Sequence, residues 1–271
     1  FIAINPLKRI ISSIIILLIS VGMLKFAYGQ SSPGVFPYDN NYVINELGIL
    51  YFHYYDIKRN IHERYFADRS LESEEKALID NYFDSKKSEG SKLNGIAARK
   101  NLIVVQMEAI QQFVINAEFN GKEITPNLNK FINESVYLDN FYYQVGTGNT
   151  SDAELLANTS LYPLRDGSAY FKYPTNTYES LPGFLEKLGY NSYVFHANNP
   201  SFWNRTEMYK AIGFDKFISS RDFTLDERLG WGLSDESFFR QSLEEIDTTS
   251  PFYSFMITLS SHHPYNYFDD Y

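Results

Sequence analysis

The sequence contains no cysteine, which excludes disulfide bonds, thiolate zinc sites and cysteine nucleophiles. It also has no long run of lysine and arginine, and acidic residues outnumber basic ones by 33 to 24, so that the formal net charge is −9. Because a nucleic-acid backbone is bound by clustered positive charge, this composition excludes nucleic acid as a partner. Disorder is excluded as well, since 44% of the residues are hydrophobic and 17% are aromatic.

One uncharged apolar run lies near the start of the chain and reads IISSIIILLISVGM, residues 10–23. Together with the residues up to Tyr28 it approaches the roughly 20 residues that cross a bilayer. Lys8 and Arg9 precede the run, and positive charge favours the cytoplasmic side. We therefore expect a transmembrane helix in residues 1–28, a location in the cell membrane, and an extracellular domain after it. A cleaved signal peptide and a buried core helix are the alternatives.

The rest of the chain divides into two parts by composition. Residues 29–100 read as a linker and membrane-proximal helical segment, because residues 29–40 are rich in Gly, Pro and Ser and a charged helix is predicted over Ser73–Ser85. The chain begins with Phe1 rather than Met, so we expect a fragment, with residues 101–271 as the N-terminal part of a catalytic domain.

Predicted strands and helices alternate from residue 101 onward, which predicts an α/β fold with a mostly parallel sheet and helices on both faces. Strands are predicted at NLIVVQMEA, VYLDNFYYQ, NSYVFHAN, DKFISS and PFYSFMITLSSHHP. Helices are predicted at TPNLNKFINES, TSDAELLANTSLY, SLPGFLEKLGY, FWNRTEMYKAIGF and SDESFFRQSLEEI. Functional residues of such folds gather at the carboxyl ends of the strands.

Two polar residues stand where strands give way to the next element. Glu108 directly follows the first strand, where a carboxylate can bind a metal ion or can simply be a surface charge. Thr150 follows a glycine-flanked turn, QVGTGNT, and opens a helix. A helix start attracts phosphate, and a hydroxyl placed there can act as a nucleophile. The alternative is a capping box in which Thr150 or Ser151 pairs with Glu154.

Further candidate residues follow the later strands. His196 ends the strand NSYVFH, and Trp203 and Arg205 follow it in PSFWNR. Arginine can fork onto phosphate oxygens, and tryptophan offers a flat apolar face. His262 and His263 end the last strand in TLSSHHPY. A lone histidine is usually structural, but histidines at two strand ends, together with a tryptophan and an arginine, favour a functional role over a purely structural one.

Taken together, these segments resemble the lipoteichoic acid synthase family of the sulfatase/alkaline phosphatase-like superfamily. The resemblance covers about residues 101–265, in family order, and rests on NLIVVQMEA, TPNLNKF, GTGNTSDAE, VFHANNPSFWNR, YKAIGFDKF and PFYSFMITLSSHHPY. The patterns GxGxTSDxE and FWNR are its most specific parts. Members of the family carry membrane helices before an extracellular enzyme domain.

The resemblance implies a metal site and a nucleophile. Glu108 would bind a divalent cation, commonly manganese, and Thr150 would be both a metal ligand and the nucleophile. The family's remaining ligands, an Asp-His pair and a further histidine, lie beyond the last strand of this sequence. A site with two ligands binds a cation weakly, so we expect this fragment alone to be inactive.

The resemblance also implies a pocket for glycerol phosphate. Trp203 and Arg205 would hold this group, and His196 and His262 would line the same pocket. His262 is chosen over His263 because it stands two residues before the proline. Asn198 departs from relatives that carry an acidic residue there, which leaves the contacts to the glycerol hydroxyls open.

The reaction implied is transfer of glycerol phosphate from phosphatidylglycerol, through a threonine intermediate, to a growing polyglycerolphosphate chain of lipoteichoic acid. Phosphoethanolamine transfer is an alternative within the same superfamily. Sulfate-ester hydrolysis is a poorly supported alternative, because that chemistry needs a CxPSR-like segment, which this sequence lacks. A membrane-anchored module that binds polymer without catalysis is the alternative from another class.

Overall fold

The structure is a computed structural model that describes residues 6–28, 44–45, 48–66, 72–86, 90, 93–165 and 167–265. The chain forms two compact units, Phe1–Pro37 and Tyr38–Tyr271. The predicted linker at residues 29–40 lies outside the described residues.

The first unit contains helix α1, Pro6–Tyr28. The segment predicted to cross the membrane is therefore helical. Within the part of the chain that the structure describes, however, no helix is both long enough and apolar enough to cross a membrane. The prediction of a transmembrane helix in residues 1–28 is not confirmed.

The second unit contains the remaining helices, and most of the helix predictions are confirmed within a few residues. The charged helix predicted over Ser73–Ser85 is found, and the predicted cap Ser234 accepts a hydrogen bond from the N–H of Ser237. The helices are α2 Ile49–Tyr65, α3 Ser73–Lys86, α4 Pro126–Ile132, α5 Thr150–Thr159, α6 Ala169–Lys172, α7 Leu181–Glu186, α8 Arg205–Ile212 and α9 Asp235–Glu244, with a 3-10 turn at Gln112–Val114.

The main sheet has four strands, all parallel, in the order β1-β8-β4-β5. Central strand β8 pairs with β1 on one side and with β4 on the other, so the carboxyl ends of β1, β4 and β8 meet at one edge. The strands are β1 Leu102–Gln106, β2 Glu118–Phe119, β3 Lys122–Glu123, β4 Asn191–His196, β5 Lys216–Ser219, β6 Arg228–Leu229, β7 Gly232–Leu233 and β8 Phe252–Ile257.

Two buried clusters cover the two faces of this sheet, which confirms the predicted layering. One contains Tyr209 of α8 and Phe255 of β8, together with residues of α5 and α6. The other contains Phe195 of β4 and Phe238 of α9. All six residues of β8 are buried, as the uninterrupted apolar sequence of a central parallel strand requires.

The strand predicted at residues 136–144 is wrong, because this stretch forms turns and irregular backbone. Its aromatic side chains point largely to solvent, and Tyr143 is 84% exposed. A β-rich composition alone does not make a strand where no neighbouring strand accepts its backbone hydrogen bonds. Strand β1 is parallel as predicted, and it is an edge strand whose residues alternate between exposed and partly buried.

Candidate active site

The loop that carries Thr150 is a tight turn fixed by one carboxylate. Oδ2 of Asp152 accepts hydrogen bonds from the N–H groups of Gly146 and Gly148, both at 2.9 Å. A Cβ at Gly148 would overlap the Asp152 carboxylate, so the close approach requires glycine. Burial raises the pKa of Asp152 above its ordinary value, although the two N–H groups oppose that shift.

Thr150 is the first residue of α5, and the residue before it is the helix cap. Asn149 has a left-handed φ of 43° and makes no side-chain capping bond. The alternative of a capping box of Thr150 or Ser151 with Glu154 is therefore not found. The amides of Ser151 and Asp152 donate to the carbonyls of Gly148 and Asn149, so the turn already uses N–H groups that were expected to be free.

Thr150 meets Glu108, its predicted partner, at the carboxyl end of β1. The hydroxyl Oγ1 of Thr150 lies 3.3 Å from Oε2 of Glu108. Two neighbouring contacts fix this geometry: the Glu108 amide donates to Thr258 at 2.9 Å, and the Gln106 side chain donates to the Thr150 carbonyl at 3.4 Å. The fold thus brings together residues that are 42 positions apart.

These two side chains offer a cation two adjacent oxygen atoms. Carboxylate and hydroxyl oxygens suit hard cations such as Mg²⁺ and Mn²⁺, and a separation of 3.3 Å fits neighbouring ligands of one ion. Across the described residues, no group of three or more His, Cys, Asp or Glu side chains could hold a metal ion. The residues present therefore fit part of a metal site.

Arg205 lies at the start of α8 and is buried, with 1% of its surface exposed. Its Nε and Nη2 donate to Oε1 of Glu154 at 3.1 and 2.6 Å, and Glu154 is 0% exposed. The hydroxyl of Tyr209 donates to Oε2 of Glu154 at 2.6 Å. Burial opposes the charge of Arg205, but Glu154 raises the pKa of Arg205 above its ordinary value.

The turn before Arg205 contains two consecutive residues in the left-handed region, Trp203 with φ 57° and Asn204 with φ 56°. This conformation is unfavourable for a bulky side chain. It is held by the Asn204 side chain, which donates to the carbonyl of Tyr170 at 2.9 Å. Trp203 is only 5% exposed and packs between aromatic neighbours. Its proposed contact with substrate stays a prediction.

His196, at the end of β4, is buried and neutral. Its Nδ1 donates to the carbonyl of Ile257 at 3.1 Å, which leaves Nε2 as a hydrogen-bond acceptor. Burial, and next the charge of Arg205, hold the pKa of His196 well below its ordinary value, and His262 adds to the effect. The three predicted pocket residues His196, Arg205 and His262 thus lie near enough to interact.

His262 is half-buried and stacks on a residue that the motifs did not single out. The ring of Trp231 lies 3.9 Å from the His262 ring, centre to centre, at an angle of 33°. Nδ1 of His262 is 2.6 Å from the carbonyl of His263. His263 is exposed, and its ring lies 4.5 Å from that of His262.

The residues that sequence reasoning missed are the partners of the predicted ones: Asp152, Glu154, Tyr209 and Trp231. Glu154 lies four positions after Thr150, and this spacing suggested a cap. The same spacing places both side chains on one face of a helix, and that was the signal that could have indicated a shared site.

The comparisons with known proteins identify the family of the chain. The sequence profile of the sulfatase family matches residues 100–271, and the chain belongs to the sulfatase family. The chain is 40% identical over 237 residues to lipoteichoic acid synthase 2 of Bacillus subtilis, and 38% identical over 237 residues to the lipoteichoic acid synthase of Staphylococcus aureus strain USA300. Both alignments cover 84% of this chain and 36% of the relative, so the chain spans about a third of the length of these relatives.

Two solved structures of related proteins superpose on this chain. The lipoteichoic acid synthase LtaP of Listeria monocytogenes superposes with a TM-score of 0.66 at 34% identity, covering 70% of this chain and 48% of that one. The Streptococcus pyogenes phosphoglycerol transferase GacH, solved with sn-glycerol-1-phosphate, superposes with a TM-score of 0.51 at 21% identity, covering 72% and 54%. The second likeness shows the fold alone. The resemblance drawn from the motifs is confirmed.

Proposed function

We propose that the protein is a metal-dependent phosphoglycerol transferase that moves glycerol phosphate from phosphatidylglycerol to a growing polyglycerolphosphate chain. Membership of the sulfatase family and similarity to lipoteichoic acid synthases support this reaction class. The observation that carries the proposal is the contact of 3.3 Å between the hydroxyl of Thr150, at the start of α5, and Glu108.

In the first step Oγ1 of Thr150 attacks the phosphorus of phosphatidylglycerol. The bond between phosphorus and the diacylglycerol oxygen breaks, and that oxygen gains a proton while Thr150 loses one. Because Thr150 opens α5, the positive end of the helix dipole lies beside the charge that develops. The product is a glycerophosphoryl ester of Thr150.

In the second step the terminal hydroxyl of the polyglycerolphosphate chain attacks the same phosphorus. The bond to Thr150 breaks, and the threonine hydroxyl regains its proton. Arg205 offsets negative charge at phosphorus in both steps, and the neutral Nε2 of His196 accepts a hydrogen bond from a glycerol hydroxyl. Trp203 and His262 line the remainder of this pocket.

Glu108 and Thr150 would hold the divalent cation, for which we propose Mn²⁺. When bound there, a divalent cation lowers the pKa of a coordinated hydroxyl and offsets negative charge on phosphate oxygens. A lipid donor would require the reaction to take place at the cell membrane, and we propose that the catalytic domain lies on the extracellular side.

The test is release of diacylglycerol from phosphatidylglycerol by the full-length protein. We expect release in the presence of Mn²⁺, loss of release when the cation is chelated, and loss in Thr150→Ala. The matched control is Thr159→Ala, which removes a hydroxyl at the far end of the same helix and should leave release unchanged.

Phosphatidylethanolamine, offered as the alternative donor, separates the two transferase reactions. Release from this lipid in place of phosphatidylglycerol would replace the proposed substrate. No release from either lipid by metal-loaded protein would favour the non-catalytic module.

A further inference from the structure

The ion pair of Arg205 and Glu154 leaves one edge of the guanidinium unused. Nε and Nη2 are occupied by Oε1 of Glu154. Nη1 is buried and has no hydrogen-bond partner among the described residues. The ring of Phe202, 5.9 Å from Cζ, offers an aromatic face but no acceptor atom. The hydroxyl of Tyr170, which interacts with Arg205 electrostatically, is likewise buried without a hydrogen-bond partner. Because a buried donor without a partner is destabilising, the arrangement favours an added acceptor at Nη1.

Stability alone does not explain this pair. Desolvation of two buried charges offsets most of their attraction, and apolar residues of similar volume often serve as well. The pair also lies beside the proposed nucleophile, because Glu154 follows Thr150 by one helical turn on the same helix, α5. A phosphoryl group on Thr150 is an acceptor of the kind that the guanidinium edge would satisfy.

Glu154 is itself held in place from a second side. Its Oε2 accepts the hydroxyl proton of Tyr209 at 2.6 Å, and Tyr209 is 1% exposed. Both carboxylate oxygens are therefore committed: Oε1 accepts from Arg205, and Oε2 accepts from Tyr209 and, at 3.3 Å, from Nε of Arg205. The guanidinium is fixed along its Nε–Nη2 edge, and it cannot rotate without breaking these bonds.

We infer that Glu154, braced by Tyr209, is a positioning residue that directs the Nη1 edge of Arg205 to the phosphoryl group carried by Thr150. This inference rests on the proposed function for the identity of the phosphoryl group. Glu154 contacts no reacting atom and acts through Arg205. Its removal changes the orientation of the guanidinium and leaves the hydroxyl of Thr150 in place.

The first experiment compares Glu154→Gln with unaltered full-length protein, using glycerol phosphate as the probe in calorimetry. Glutamine keeps the size of the side chain and removes its charge. We expect the Kd for glycerol phosphate to rise about tenfold or more, since a charge-assisted contact is lost. The kcat/KM for diacylglycerol release should fall about a hundredfold, the cost of misplacing a group by about an ångström. Glu245→Gln, which alters an exposed ion pair with Lys216, is the matched control.

A milder variant covers the case in which Glu154→Gln does not fold. Tyr209→Phe removes only the hydroxyl and with it one hydrogen bond to Glu154. We therefore expect smaller changes in the same direction, about a twofold rise in Kd and about a fivefold fall in kcat/KM. Arg205→Lys completes a double-mutant cycle with Tyr209→Phe. In that background the tyrosine change should alter Kd less than about twofold, because a residue that acts through Arg205 has nothing left to position.

Two outcomes separate the inference from the proposed function. Folded Glu154→Gln and Tyr209→Phe proteins that bind glycerol phosphate as tightly as the unaltered protein would overturn the inference, whether or not transfer occurs. Unaltered protein that binds glycerol phosphate in a Glu154-dependent way but releases no diacylglycerol would overturn the proposed transfer and retain the positioning role.

Discussion

The two glutamates that flank Thr150 are held in different ways. Glu154 is fully buried and accepts hydrogen bonds from two nitrogen atoms of Arg205 and from the hydroxyl of Tyr209. These bonds fix the orientation of both partner side chains. Glu108 is half-buried at the end of an edge strand, and its carboxylate meets Thr150 through one contact of 3.3 Å. The site therefore has two halves. The packed half, Glu154 with Arg205 and Tyr209, fixes the position of a side chain, while the open half, Glu108 with Thr150, keeps oxygen atoms accessible for a cation and a substrate.

The same substitution in the two halves should therefore have very different effects on stability. Glu154→Ala leaves a buried guanidinium without its counter-charge, and we expect the free energy of unfolding to fall by about 3–5 kcal/mol. Glu108→Ala removes a partly solvated carboxylate and should cost less than about 1 kcal/mol. Denaturant titration of both variants measures the difference, and equal losses would break the comparison.

The turn between the two halves gives the next largest effect. Gly148→Ala places a methyl group against the Asp152 carboxylate, and we expect a loss of about 1–3 kcal/mol, as for other overpacked sites. Gly90→Ala is the control, because a Cβ there meets only an ordinary contact at 3.7 Å. If both alanines are tolerated equally in thermal unfolding, Asp152 does not fix the turn.

Burial of His196 beside Arg205 should make the stability of the protein depend on pH. Its pKa in the folded state lies below the ordinary value of 6.5, so below that pH the unfolded chain binds a proton that the folded chain does not. Stability is then lost as the pH falls, by about 1–2 kcal/mol between about pH 7 and about pH 5. His196→Gln should reduce this dependence in denaturant titrations at the two pH values. An unchanged dependence would show that His196 is not the group responsible.

The smallest effect is expected at the rim of the site. Trp231→Ala removes the ring stacked on His262, and an aromatic pair contributes about 0.5–1.5 kcal/mol. We expect the Kd for glycerol phosphate to rise a few-fold, with Trp231→Phe retaining most of the affinity. An affinity that does not change in Trp231→Ala would mean that His262 needs no support from this ring.

Residues that follow local sequence patterns could be predicted, whereas partners that only the tertiary fold brings together could not. Apolar runs located β1, β4 and β8, and the ends of β1 and β4 identified Glu108 and His196. The glycine-flanked turn before α5 identified Thr150. The resemblance added roles for them. The partner of Arg205 could not be predicted, because Glu154 is 51 positions away and pairs with it only through the packing of α5 against α8. The wrong strand at residues 136–144 has the same cause: its apolar pattern is real, but no neighbouring strand among the described residues pairs with it.

The central claim is that Thr150 carries the glycerophosphoryl group during transfer. Mass spectrometry of peptides from full-length protein, quenched during turnover of phosphatidylglycerol with Mn²⁺, tests it most directly. We predict one glycerophosphoryl group on the peptide that contains Thr150, and none on that peptide in Thr150→Ala. Steady release of diacylglycerol with no adduct on Thr150, or with the adduct on another residue, would contradict the account.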